Sequence, residues 1–287
     1  MELAGNGDLP PLFCMHAADG YALIFRELCG SLDPRRPVFG LQSPALFGEP
    51  IESIEALATR YVADIRRRRP NGPYHLAGYC MGGTIALEVA QQLKAAGEKV
   101  ESLICIETYN WHTSLAASQS RWVQFVYYFQ KVDFHFRNFL MLNMRLKWQF
   151  IKAKSLAMWR RRKVWFSSSQ GSRSQATDSD SGEMTPAEIW CRHDEVAEEY
   201  LPTTYDGKLT LIRAKKDYVR YRDQEFPIAV GGQVDLHRLR VYPAGMMAAP
   251  FAKELAELIE QTLAKKKALR RPTGPELVLT VPVKTGP

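Results

Sequence analysis

The chain has 287 residues, 46% of them apolar, and 38 Lys/Arg against 31 Asp/Glu give a formal charge of +7. That length holds one large α/β domain or two small ones, with apolar residues enough for a substantial core. Met1–Leu9 lacks the basic-then-apolar order of a secretory leader, and no apolar run nears the ~20 residues that cross a bilayer. Five scattered cysteines (Cys14, Cys29, Cys80, Cys105, Cys191) form no C-x-x-C pair, which argues against a disulfide scaffold or a metal site and fits a cytoplasmic setting.

Taken in order, short apolar runs alternate with helical patterns. Pro11–Met15, Pro37–Leu41, Tyr74–Tyr79, Val100–Glu107, Lys208–Ala214 and Leu236–Tyr242 read as buried strands. Helices are expected at Tyr21–Leu32, Ile51–Arg69, Met81–Ala96 (stopped by Gly97) and Phe251–Lys266. Strands alternating with helices predict a mostly parallel sheet covered on both faces.

Residues 113–201 break the alternation. Trp122, Phe125, Phe129, Val132, Phe136, Phe139 and Leu140 recur at helical spacing, an aromatic stripe expected to pack between lid helices and core. Between Thr113 and Thr185 twelve cations face four acids, so this segment nets +8 and the rest of the chain −1. Residues 167–184 are too polar and small to pack and are expected to be disordered. The implied organisation is a core of 1–112 and 202–266, a helical lid at 113–201, and a Pro/Gly-punctuated tail or linker at 267–287.

The stretch "HLAGYCMGGTIALEVA" sets Gly78-x-Cys80-x-Gly82 between an expected strand and an expected helix. Such a turn lifts its central side chain above the sheet at the positive end of a helix, and a thiol there is expected to be acidified.

Several stretches resemble the thioesterase domain that ends non-ribosomal peptide and polyketide assembly lines, an α/β-hydrolase: "PLFCMHAADGY", "VFGLQSPALFGE", "YHLAGYCMGG", "ESLICIE", "EYLPTTYDGKLTLIRA" and "VYPAGMMAAPFAKELAELI". The resemblance implies that Cys80 is the nucleophile, where serine is usual, and Glu107 the triad acid, where aspartate is usual. It also implies an oxyanion hole from the N–H groups of Met81 and Ala18. The family's histidine falls on Pro243, which has no proton chemistry. His16 and His112 are the candidate substitute bases, and His237, six residues before Pro243 on the last strand, is expected to sit near the wrong end of the sheet.

A serine without histidine is nearly inert, whereas a thiol is partly ionised near neutrality and can exchange with a thioester unaided. Water as acceptor suffers most without a base. The residues therefore favour acyl transfer from a carrier protein's phosphopantetheine through Cys80 to a small-molecule nucleophile, with no bound cofactor. The alternatives are a degenerate domain kept as a scaffold and a slow hydrolase. The basic lid suits an acidic carrier protein. A membrane contact through Met158–Phe166 ranks below that reading, and no motif supports nucleic acid binding.

Overall fold

The computed structural model describes residues 1–109, eight helical positions between Trp122 and Leu140, and residues 184–214, 232–241 and 245–264. Seven strands form one sheet: β1 (Glu2–Ala4), β2 (Leu12–Met15), β3 (Val38–Leu41), β4 (Tyr74–Tyr79), β5 (Val100–Ile106), β6 (Leu209–Ala214) and β7 (Val234–Leu239). Their order is β1-β3-β2-β4-β5-β6-β7. β1 runs antiparallel to β3, and every other pairing is parallel.

The strands are continuous apolar runs because both faces are covered. Successive side chains alternate between faces. Phe13, Met15, Leu103, Cys105, Leu209 and Leu211 enter one core cluster. Leu12, Cys14, Ile104, Ile106 and Ile212 enter the other. The first cluster is closed by α2 (Ile54–Arg68), α3 (Met81–Ala95) and α4 (Pro186–Glu199), the second by α1 (Arg26–Cys29) and α5 (Phe251–Ala264).

Local chemistry sets the helix ends. The Ser53 hydroxyl accepts from Ala56 N at 3.2 Å and caps α2. Thr185 and Glu188 form a reciprocal capping box on α4, with Pro186 in the first turn. Gly97, at φ 78°, ends α3 in the left-handed region that glycine adopts without strain.

Four expectations change. The helix expected at Tyr21–Leu32 is a 3-10 turn, Ala22–Phe25, running into the four residues of α1. β7 begins and ends earlier than expected because its register is fixed by pairing Leu209 with Val234. β1, too short and polar to announce itself, adds an edge strand. The last helix of the segment expected as lid, α4, is seated in the same cluster as α2 and α3 through Ile189, Val196 and Ala197.

The stripe gives a plainer correction. Trp122, Phe125, Phe129, Val132, Phe136 and Leu140 are helical, but they are 56% to 69% exposed rather than packed on the core. The expected disorder at 167–184 falls, but for Met184, outside the described residues. The tail at 267–287 and the basic run Met158–Phe166 lie wholly outside them. No helix among the described residues is long and apolar enough to cross a membrane.

Candidate active site

β2, β4, β5 and β6 lie side by side and run the same way, so the turns that follow them meet at one edge of the sheet. In open α/β sheets this carboxyl edge is where ligands bind. Cys80 follows β4, Ala18 lies in the turn after β2, and Glu107 follows β5.

Cys80 occupies φ 58°, ψ −122°, a backbone region costly for any residue but glycine, of order 1–3 kcal/mol. Its N–H donates to Ile106 O at 2.8 Å, and its carbonyl accepts from Gly83 N at 3.1 Å. The glycines of the turn are steric necessities. A Cβ on Gly78 would lie 1.9 Å from Gly82 O, and one on Gly82 would lie 2.4 Å from both Met15 O and His16 O. The strand-turn-helix expected around Cys80 is therefore present, with the end of β2 pressed against the start of α3.

The thiol itself departs from expectation. Desolvation pushes Cys80 up to about 12. A hydrogen bond from the Met81 N–H works the other way, and the negative charges of Asp194, Glu107 and Asp19 add to the rise. The helix N-terminus does not yield an acidified thiol here, because desolvation and the charges of three carboxylates outweigh one backbone donor.

Glu107, at φ 51°, is buried. Its Oε2 accepts from the Tyr109 hydroxyl and its Oε1 from the Ala214 N–H, while its own N–H donates to Ile212 O at 2.9 Å. Arg213, on β6, lies 4.9 Å over the Tyr109 ring and donates from Nη2 to Thr108 O at 3.1 Å. The carboxyl thus holds its own turn against β6, an arrangement the spacing of sequence motifs did not anticipate. His112 and Pro243 both lie outside the described residues.

His16 does not fit the part of substitute base. It is fully buried, its ring 5.9 Å edge-on to Tyr61 and 4.9 Å from the ring of His193. Its Nδ1 meets Ala17 O at 2.6 Å, and burial, then His193, lowers it to about 3. With Nδ1 committed to Ala17 O and burial disfavouring the charged ring, the arrangement speaks against His16 as a base.

His237 pairs with Ile212 in the register, which pairs with Ile106 and so with Tyr79. It is therefore level with the elbow, contrary to the expectation that it lay at the wrong end. Three strand spacings, about 14 Å, separate them sideways instead. Its Nε2 lies 3.1 Å from Asp235.

His193, on α4, escaped the sequence reading. It falls on the buried face with Ile189, Val196 and Ala197, and a polar group there needs partners. That apolar-face position was the available signal. Among the described residues no group of His, Cys, Asp and Glu side chains could hold a metal ion.

Residues 10–124 match the family model described as a thioesterase domain. Malpibaldin synthetase of Mortierella alpina is 38% identical over 108 residues, 37% of this chain and 2% of that protein. Enterobactin synthase component F of Escherichia coli is 38% identical over 114 residues, 37% of this chain and 9% of that protein. The chain thus spans a small fraction of these curated relatives. Among solved structures, the NocB thioesterase domain in covalent complex with a fluorophosphonate nocardicin G analogue superposes with a TM-score of 0.60 at 21% identity, over 90% of this chain and 96% of that one. The surfactin thioesterase domain SrfTE gives a TM-score of 0.55 at 15% identity, over 90% and 92%. At those identities the likeness concerns the fold alone. Together with the parallel sheet and the elbow at its carboxyl edge, these matches show that residues 10–124 are similar to thioesterase domains and that the chain has the fold of those solved domains.

Proposed function

We propose that this domain transfers acyl groups through Cys80, taking them from a thioester on the phosphopantetheine of a carrier protein. The observation that carries this reading is the intact elbow. A thiol sits at a strained backbone position, φ 58°, ψ −122°, between β4 and the first turn of α3. In the acylation step the Cys80 sulfur bonds to the thioester carbonyl carbon and loses its proton. The carbon–sulfur bond to pantetheine breaks, and the departing thiol gains a proton. One thioester replaces another, so the exchange is close to thermoneutral. The Ala18 and Met81 N–H groups are the proposed oxyanion donors, and Glu107 holds the turn beside them.

The second half is transfer to an amine, alcohol or thiol acceptor. Among the described residues no histidine hydrogen-bonds Cys80, which supports transfer over hydrolysis, because water needs its proton removed. The similarity to thioesterase domains and to synthetases supports a carrier-borne thioester substrate, and the +8 lid segment suits an acidic carrier. A scaffold role is the second reading, favoured by the thiol pushed up to about 12.

Intact mass spectrometry after mixing with acyl-loaded carrier protein tests these readings. The expected result is an adduct on Cys80, lost in Cys80→Ala, with acylation falling at least ~10³-fold. No adduct at any pH leaves the scaffold reading. Rapid release of free acid shows hydrolysis instead.

A further inference from the structure

The turn after β2 is held by two buried imidazoles, and one of them comes from the far side of the lid insertion. The His16 Nδ1–H donates to Ala17 O at 2.6 Å, and the Gly20 N–H reaches the same oxygen at 2.9 Å. In a trans peptide the N–H points opposite to the C=O. Anchoring Ala17 O on the His16 side therefore aims the Ala18 N–H the other way. Among the described residues no acceptor meets that N–H.

The next peptide is clamped from α4. His193 Nδ1 lies 2.8 Å from Ala18 O, so it must donate there. Its Nε2 is then the acceptor for the Ser43 hydroxyl at 3.0 Å. Ser43 Oγ in turn accepts from Ala45 N at 3.2 Å, and the Ser43 N–H donates to Gly20 O at 2.9 Å. This chain of bonds fixes one neutral tautomer of His193 and leaves neither ring nitrogen free. A single peptide plane can swivel between its neighbours unless the adjoining plane is fixed as well. His16 holds the first plane and His193 the second.

We propose that His193 is a positioning residue that presets the oxyanion donor of Ala18, so that seating α4 completes the site in which Cys80 is acylated. The proposal rests on the acyl-transfer reading above for its catalytic meaning. The residues it joins lie 150 and 175 positions apart in sequence. α4 is seated in the core through Ile189, Val196 and Ala197, so unseating α4 also loosens the donor.

The test pairs two reactions of the same sulfur in the full chain. Acylation by a short acyl-pantetheine thioester passes through an oxyanion, whereas alkylation by iodoacetamide does not. His193→Ala is expected to lower the maximal acylation rate ~10–100-fold, with the half-saturating concentration changed less than threefold. Alkylation is expected to change less than twofold. His193→Asn, whose amide N–H can replace the Nδ1–H donor, is expected to recover most of the rate. An equal fall in both reactions, or no fall in acylation, overturns the proposal.

Amide hydrogen exchange supplies a readout that needs no acylation. His193→Ala is expected to speed exchange at Gly20 and Ser43 at least ~10-fold, and His193→Asn to restore protection. Unchanged exchange overturns the clamp. If the native protein forms no adduct while exchange responds as expected, the acyl-transfer reading fails and the clamp stands.

Discussion

The two turns that flank the sheet's carboxyl edge are built to different ends. The Cys80 elbow leaves its reactive atom with a single backbone donor and no hydrogen bond to a histidine among the described residues. The Glu107 turn spends both carboxyl oxygens on its own neighbours, Tyr109 and Ala214, and is backed by Arg213. Both residues have positive φ, but only Glu107 shows side-chain hydrogen bonds to neighbouring strand and turn residues among the described ones. The Glu107 carboxyl thus braces the turn after β5 against β6. Position 243 is a proline, so no imidazole is supplied there.

The largest effect that tests this contrast is steric. Gly82→Ala puts a Cβ 2.4 Å from two carbonyl oxygens of the β2 end. It is expected to destabilise the fold by about 3 kcal/mol, measured by denaturant unfolding. A change under ~0.5 kcal/mol shows that the elbow can relax and weakens the picture of a rigid nucleophile.

The next effect is one of pH. The thiol is raised above its usual range, to about 12, so the neutral form dominates below it and reactivity is lost as pH falls. Acylation of Cys80 is expected to rise about tenfold per unit between pH 7 and pH 9 without a plateau, followed by rapid-quench mass spectrometry. A plateau by pH 8 reveals a base or cation at the sulfur and erases the difference between the turns.

The smallest effect is at Glu107. Glu107→Gln keeps an acceptor for Ala214 N–H and a polar partner for Tyr109, so acylation is expected to fall less than ~10-fold. Where a carboxylate orients a catalytic histidine, the same type of change costs on the order of 10⁴. A loss of that size, measured by the same assay, makes Glu107 part of a working relay.

The legible features were local ones. The glycine spacing and apolar flanks placed β4, the elbow and α3 with their ends nearly correct, and Gly97 marked the end of α3. β1 was missed because its three residues, Glu2, Leu3 and Ala4, are too few to show a period. β7 was shifted because alternation on an edge strand, half-exposed, continues past the paired register. The stripe at Trp122–Leu140 had the right period, but periodicity reports which residues share a face and is silent on what covers that face.

By itself the sequence determined the alternation of the central strands and helices and the glycine-framed turn at Cys80. These depend on contacts within about 20 residues. Only the tertiary structure decided the state of the Cys80 thiol, the partners of Glu107 and the role of His193. Desolvation, charge and hydrogen bonding act through space. Asp194 and His193 reach the elbow and the β2 turn from more than 110 residues away along the chain.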